Sequence, residues 1–125
     1  MKAESRSSTL MPLGPSTRIF LAAGATDLRK SFEGLSDLVR HQCQEDPLSG
    51  HLFVFTNRRK SRLKLLYWDG SGLWVCAKRL DRGCFSWPVS ADPSTVRIAA
   101  AELTLILTGI DLDQTQSRQW WRQAS

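Results

Sequence analysis

Basic residues crowd one stretch of the sequence, NRRKSRLKLLYWDGSGLWVCAKRLDRG, at positions 57–83. Between residues 57 and 82, eight basic side chains accompany only two acidic ones, Asp69 and Asp81, which gives this segment a net charge of +6. The whole chain carries +5, so the other residues sum to −1. A local positive field of this kind attracts polyanions, because each cation can neutralise a phosphate. The candidate nucleic-acid-binding residues are Arg58, Arg59, Lys60, Arg62, Lys64, Lys78, Arg79 and Arg82.

Apolar residues on both sides of DGSG predict that the basic segment contains a β-hairpin. Closing the turn there places Trp68 opposite Leu73. The same register places Arg62 opposite Arg79. Because side chains alternate with period two, one face is apolar and carries Leu63, Leu65, Tyr67, Trp74 and Cys76, with Lys78 at its end. The other face is half apolar and half cationic, with Trp68, Leu66, Leu73 and Val75 near the turn and Lys64, Ala77, Arg62 and Arg79 beyond them.

The half-cationic face has two interpretations. If the TNRRKS loop closes with Phe55 opposite Arg62, Phe53 and Phe55 join this face, where aromatic rings stack on bases while cations neutralise phosphates. In the alternative, the apolar residues near the turn pack beneath the second helix and the cations are solvated at the rim. A slip of one residue would instead bury both phenylalanines in the core. The loop tip, residues 58–60, projects outward in every case.

The rest of the chain predicts a single α+β domain. Apolar residues at helical spacing predict one helix from about Leu28 to about Cys43, and AAAELTLILTGI predicts a second that ends at Gly109. Further strands are predicted at RIFLA (18–22), HLFVF (51–55), CFSWP (84–88) and STVRI (94–98). With short turns between most strands, this order predicts an antiparallel β-meander of about five strands with two helices packed on one face.

The predicted domain spans residues 15–112, between a flexible N-terminal extension (1–14) and a C-terminal tail (113–125). Met11 is an alternative natural start. No apolar run approaches the ~20 residues that span a bilayer, and the N-terminus lacks the apolar core of a secretory signal. We therefore expect a soluble, cytoplasmic protein with no membrane partner. Trp120 and Trp121, adjacent on a polar tail, are expected to dock onto their own domain or onto a partner, and they are the candidate partner-binding residues.

Residues for catalysis or metal binding are not grouped in the sequence. No glycine-rich phosphate motif occurs, and the three cysteines form no CxxC pair, so neither a disulfide framework nor a zinc site is predicted. A metal-dependent nuclease trio is the least favoured reading, because each carboxylate also fits a cap, a turn or the surface. We predict no catalytic residue, no metal and no cofactor. The scattered carboxylates are Asp27, Asp69, Asp81, Asp92, Glu102 and Asp111.

Three collinear stretches are specific enough to indicate a family. They are STRIFLAAGATDLRKSFEGL, DPLSGHLFVFTNRRKSRLKLLYWDGSGLWVCAKRLDRGCFSWP and AELTLILTGID. From about Met11 to Gly109 the chain resembles the TnpB accessory proteins of insertion-sequence-sixty-six-type transposable elements of bacteria, which are distinct from the RNA-guided nucleases that share the TnpB label. The resemblance implies a small non-catalytic protein encoded beside a larger transposase that carries the strand-transfer chemistry. It also places NRR (57–59), RLK (62–64) and KRL (78–80) on the family's basic pattern.

Together these observations predict a non-enzymatic accessory protein for the transposition and recombination of a mobile element. It binds element DNA, or a transposase–DNA complex, through its basic β-hairpins. The alternative is a protein–protein adaptor that recruits or regulates the separate transposase without touching DNA. DNA and the element-encoded transposase are therefore the expected partners, and a homo-oligomer is compatible with either reading.

Overall fold

A computed structural model of the protein describes residues 16–88 and 95–108. It contains five strands and two helices, which confirms the predicted α+β class and the number of strands. The predicted N-terminal extension, the C-terminal tail with Trp120 and Trp121, and the helix-ending Gly109 lie outside the described residues. In chain order the elements are β1 (Ile19–Ala25), α1 (Phe32–His41), β2 (Leu52–Thr56), β3 (Arg62–Trp68), β4 (Leu73–Arg79), β5 (Thr95–Ile98) and α2 (Ala100–Leu107).

The strands form one sheet in the order β4-β3-β2-β1-β5. Strands β2, β3 and β4 make the predicted antiparallel meander, and β5 pairs antiparallel with β1. Strands β1 and β2 are parallel, so the prediction of a fully antiparallel sheet was wrong at this pair. A parallel pair needs a crossover connection, and α1 supplies it. Both strands are continuous apolar runs rather than alternating ones, which is typical of strands buried on both faces.

The two helices pack on opposite faces of the sheet, which corrects the prediction that both cover one face. Leu35 and Val39 of α1 belong to one core cluster, together with Phe20, Phe53 and Leu66. Leu103 and Ile106 of α2 belong to the other cluster, together with Ile19, Leu21, Leu52, Val54, Leu63, Leu65 and Tyr67. Alternate residues of β1 and β2 serve the two clusters, so the apolar side chains of each central strand are buried on both sides.

Helix α1 begins at Phe32, four residues later than predicted. The residues before it form a separate turn, because the Lys30 amide donates to the Asp27 carbonyl at 3.2 Å. The Asp27 carboxylate also accepts the backbone N–H of Arg29 at 3.1 Å. Within the helix, Leu35 and Val39 are fully buried, whereas Phe32 at the first turn is 47% exposed.

The β3–β4 hairpin has the predicted register, with Trp68 paired to Leu73 and Arg62 paired to Arg79. CFSWP, by contrast, is not a strand. Phe85 is nevertheless fully buried in the α2-side cluster. Its backbone N–H donates to the Lys60 carbonyl at 2.7 Å, so the segment is anchored by a loop contact instead of a sheet ladder. The apolar residues of CFSWP therefore correctly indicated a buried segment, but the prediction that this segment is a strand was wrong.

The Asp69 carboxylate organises the hairpin turn. One oxygen accepts the backbone N–H groups of Ser71 and Gly72 at 2.8 and 2.9 Å. The other accepts the indole N–H of Trp74 at 2.8 Å. The backbone hydrogen bond from Ser71 and the indole of Trp74 are the main causes that hold the pKa of Asp69 well below its usual range.

This arrangement predicts that Asp69 stabilises the fold in a pH-dependent way. A carboxyl group with a lowered folded-state pKa contributes its full stability above its unfolded pKa of about 3.9, and the contribution is lost as the pH falls toward the folded value. We expect Asp69→Ala to lower the free energy of unfolding at about pH 7 and to lower it less at about pH 3. Urea unfolding of both chains at the two pH values measures the difference. A difference independent of pH would contradict the assigned role.

The three cysteines are free thiols. Burial raises the pKa of Cys43 to about 11, and the charge of Glu45 adds to the effect. A thiol with a raised pKa is a poor nucleophile, which fits a packing role for this residue. No helix within residues 16–88 and 95–108 has the length and apolar composition needed to cross a membrane.

Candidate nucleic-acid interface

The predicted cations converge at one end of the sheet, because four chain segments meet there. These segments are the β2–β3 loop (57–61), the start of β3, the end of β4 and the residues that follow β4. Pairing of Arg62 with Arg79 joins the two strand ends. We call this surface the basic end and define it by Arg58, Arg59, Lys60, Arg62, Lys64, Lys78, Arg79 and Arg82.

The loop that carries Arg58, Arg59 and Lys60 is held in one conformation by its own hydrogen bonds. The side-chain oxygen of Asn57 accepts the backbone N–H groups of Ser61 and Arg62 at 3.0 and 3.1 Å. The Lys60 amide donates to the Asn57 carbonyl at 3.0 Å, and Lys60 adopts a left-handed backbone with φ of 58°. Contacts with the residues after β4 fix the loop from the other side. Such preorganisation lowers the entropy lost on binding.

Within the described residues, no acidic side chain forms an ion pair with a cation of the basic end. All three loop residues are exposed, as are Arg62, Arg79 and Arg82. Among residues 16–88 and 95–108, the ion pairs join Arg29 to Asp27 and Arg40 to Asp37, and neither involves the basic end. Arg62 lies directly opposite Arg79 on neighbouring strands. Like charges in such a cross-strand pair are destabilising, and an anion bound between them would remove the repulsion.

Lys64 and Lys78 differ from the other cations because their ammonium groups have protein partners. Lys64 Nζ donates to the carbonyl of Lys30 at 2.8 Å. Lys78 Nζ donates to the carbonyl of Leu107 at 2.6 Å, in the last turn of α2. A cation at a helix C-terminus also interacts favourably with the helix dipole. These two lysines therefore stabilise the fold as well as adding positive charge to the basic end.

Four of the predicted cations border a groove of about 350 Å³. The groove lies across the paired ends of β3 and β4, and Leu28 lines it from the segment before α1. Aliphatic parts of the surface thus lie between the charged groups. The four cations are Arg62, Lys64, Lys78 and Arg79.

The open aromatic platform predicted on this sheet face is not present. Phe55 pairs with Lys64 and Phe53 pairs with Leu66, two residues away from the predicted register. The shift of two keeps both phenylalanines on the predicted face, but α1 covers that face and leaves each ring 1% exposed. A helix does cover the apolar residues of this face, but it is α1 and not the second helix that the alternative predicted, because α2 packs on the opposite face. The described structure therefore leaves the cations of the basic end, and not this face, as the exposed part of the predicted interface.

Two residues near the basic end were missed by the sequence reasoning. Lys30 is exposed, and its carbonyl binds Lys64, so its charge adds to the surface. Trp87 is half-buried and lines a pocket beside Arg58 and Lys60. For Lys30 a signal existed: in a β-α-β unit, the segment after β1 lies at the same sheet end as the loop after β2. For Trp87 no sequence spacing indicated the neighbourhood.

Three of the six carboxylates that the sequence left open, Asp27, Asp69 and Glu102, have structural partners. The hydrogen bond from the Arg29 side chain, with that from the Arg29 backbone, lowers the pKa of Asp27 to about 2. Glu102 accepts the Ala99 backbone N–H at 2.8 Å at the start of α2, and Asp69 holds the hairpin turn. Asp92 and Asp111 lie outside the described residues. In the part of the chain that the structure describes, no three His, Cys, Asp or Glu side chains group as metal ligands.

Comparison with known proteins identifies the family. A family profile described as "IS66 Orf2 like protein" matches residues 17–117. The chain belongs to the IS66 Orf2-like family. This confirms the resemblance drawn from the sequence, and it places the chain among transposition-associated accessory proteins of insertion sequences.

Two curated relatives of this IS66 Orf2-like chain come from Sinorhizobium fredii. Uncharacterized protein y4hO is 41% identical over 113 residues, which cover 90% of this chain and 96% of the relative. Uncharacterized protein y4jC is 37% identical over 101 residues, covering 79% of this chain and 86% of the relative. No solved structure matches the chain. The relatives' names assign no biochemical activity.

Proposed function

We propose that this IS66 Orf2-like protein assists transposition by binding element DNA, or a transposase–DNA complex, through the basic end. The observation that carries the proposal is the cross-strand pair of Arg62 and Arg79, which has no ion-pair partner in the described part of the chain, beside the exposed loop cations 58–60. A fold that keeps like charges adjacent loses stability at that point, and a phosphate backbone offsets the loss. Arg82, Lys64 and Lys78 extend the same positive field. No catalytic residue is assigned to this role.

The preorganised loop supports contact with the DNA backbone in particular. Arginine side chains bind phosphate through several N–H donors at once, and loop contacts of this type position a protein on DNA without reading its sequence. In this proposal the basic end supplies the affinity for DNA. Recognition of the element end depends on the transposase or on DNA shape. The protein acts in this account as a DNA-holding subunit.

A direct experiment measures binding of the full chain to a duplex of the element end and to a random duplex. Fluorescence anisotropy with labelled DNA, alone and with the transposase added, gives the four affinities. Binding of the isolated chain to both duplexes supports the proposal. Failure to bind either duplex under any condition, including with the transposase present, would overturn it.

The adaptor function is the second candidate, and an apolar patch on α1 favours it. Phe32 is 47% exposed and lies beside Leu73, with Glu33 and Asp37 at the rim of the same shallow cavity. Large exposed apolar side chains with a polar rim are typical of protein-binding surfaces. The candidate partner-binding residues Trp120 and Trp121 remain part of this proposal. In the anisotropy experiment, binding that appears only with the transposase and does not change when Arg58, Arg59 and Lys60 are replaced by alanine would favour the adaptor.

A further inference from the structure

Strand β1 contains an irregularity where it leaves the sheet. Leu21 pairs with Val54 and Ala25 pairs with Thr56, so β1 has three residues between the paired positions where β2 has one. This difference of two residues marks a β-bulge in β1. The carbonyl of Ala22 within the bulge accepts the indole N–H of Trp87 at 3.2 Å. Bulges of this kind are over-represented beside functional sites, where they redirect backbone and side chains.

A pocket of about 200 Å³ lies between this bulge and the β2–β3 loop. Gly24 lines it on the side of the bulge, and Arg58 and Lys60 line it on the side of the loop, together with Trp87. Pockets that enclose a whole ligand usually measure about 300–1,000 Å³. The smaller volume here suits one part of a longer molecule.

The pocket combines an aromatic ring with two cations. The hydrogen bond to Ala22 fixes the orientation of the Trp87 ring, and the hydrogen bonds of Asn57 fix the loop that carries Arg58 and Lys60. A fixed indole provides a surface for stacking, and the two cations provide partners for a phosphate. A nucleotide presents a flat base and a phosphate in this combination.

We propose that this pocket receives one unpaired nucleotide of a DNA strand, with the base against Trp87 and the phosphate near Arg58 and Lys60. The inference rests on the proposed DNA-binding function and adds a preference for DNA with an unpaired end. A base inside a duplex is already stacked on its neighbours, so it must leave the stack to contact a protein ring. An overhanging base avoids most of that cost.

The first test uses the wild-type chain and three DNA probes. They are a blunt duplex, the same duplex with a short single-stranded overhang, and that overhang with its bases removed to leave abasic sugars. We expect the intact overhang to bind more tightly than the abasic one by roughly 5- to 140-fold, which corresponds to about 1–3 kcal/mol for a stacked base. Equal affinity for the intact and abasic overhangs would overturn the assignment of the base to Trp87.

The second test enlarges a residue that lines the pocket and leaves the two cations unchanged. A Cβ added at Gly24 meets no heavy atom within 4 Å, so Gly24→Leu adds a side chain at the pocket lining without a clash at Cβ, and a melting curve checks that the variant folds. The matched control is Gly72→Leu in the hairpin turn at the opposite end of the sheet, where an added Cβ also meets nothing within 4 Å. We expect Gly24→Leu to abolish the preference for the intact overhang and Gly72→Leu to retain it.

The outcomes separate this inference from the function on which it rests. If Gly24→Leu retains the overhang preference while its melting curve matches that of the wild type, the pocket assignment is wrong. If all three probes bind the wild-type chain equally, the pocket assignment again fails and DNA binding through the basic end stands. If none of the probes binds, both proposals fall.

Discussion

Replacing Arg58, Arg59 and Lys60 together by alanine is expected to weaken binding to any DNA duplex. Each phosphate contact that is lost reduces the slope of log affinity against log salt by about 0.9, so three contacts reduce it by up to ~2.7. If the affinities of the variant and the wild type converge at ~1 M salt, the variant binds up to about 500-fold more weakly than the wild type at ~0.1 M salt. The three side chains are exposed, and the hydrogen bonds of the loop come from Asn57 and the backbone, so the fold should not change.

The matched control removes the same charge from other parts of the surface. Arg18, Arg40 and Arg97 are exposed and lie before β1, at the end of α1 and on β5. Their replacement by alanine lowers the net charge equally, so it reports the effect of overall charge alone. We expect a much smaller change in affinity and slope than for the loop variant. Equal effects of the two triple variants would contradict a localised interface at the loop.

Phe53→Ala is expected to lower the free energy of unfolding by about 3–5 kcal/mol, as for other large-to-small changes of a buried aromatic. The Phe53 ring is 1% exposed beneath α1. It stacks on Phe20, with ring centroids 5.4 Å apart and planes 13° from parallel. Urea denaturation measures the loss. The fraction of the variant that stays folded should bind DNA with unchanged affinity, because no part of the basic end is altered.

Phe32→Ala is the control for this substitution, because that ring is 47% exposed on α1. Exposed substitutions usually change stability by within about 0.5 kcal/mol. A Phe53→Ala variant that keeps full stability but binds DNA weakly would support the open aromatic platform. It would also contradict the packing of α1 on this face. The pair of variants thus tests whether α1 covers the sheet face that carries Phe53.

Local sequence patterns predicted the hairpin correctly, because its register depends on the turn. The DGSG turn fixes the pairing of Trp68 with Leu73, and period-two alternation fixes the partners that follow. The helical spacing of the apolar residues likewise predicted a helix, and Leu35 and Val39 of the predicted apolar face are buried, whereas Phe32 is 47% exposed. The loop cations were predicted to project outward, and the structure has them exposed. Each of these features involves residues that are close in the chain.

Features that depend on distant residues were harder to predict. The register across the β2–β3 loop was displaced by two, because a longer loop does not fix the pairing as a tight turn does. The parallel pairing of β1 with β2, and the helices on opposite faces, were indicated only by the continuous apolar runs IFLAA and LFVFT. Reading those runs as doubly buried strands would have placed one helix on each face.

The sequence predicted which residues belong to the candidate site, but it did not predict how they are arranged in space. The sequence indicated which eight cations belong together, whereas their meeting at one sheet end follows from the strand order. Lys64 contacts Lys30, and Lys78 contacts Leu107. In both pairs the two residues are separated in the chain by more than the length of a typical helix, so no local sequence pattern indicates the contact. The approach of Trp87 to the β1 bulge is of the same kind.

The salt dependence of DNA binding by the wild-type chain tests the central claim most directly. The measurement is the affinity for one duplex across a series of salt concentrations, plotted as log affinity against log salt. The account predicts a slope steeper than about −2.7, since the three loop cations alone supply about 0.9 each and other residues of the basic end add to them. A slope near zero, or no binding at low salt, would contradict the account.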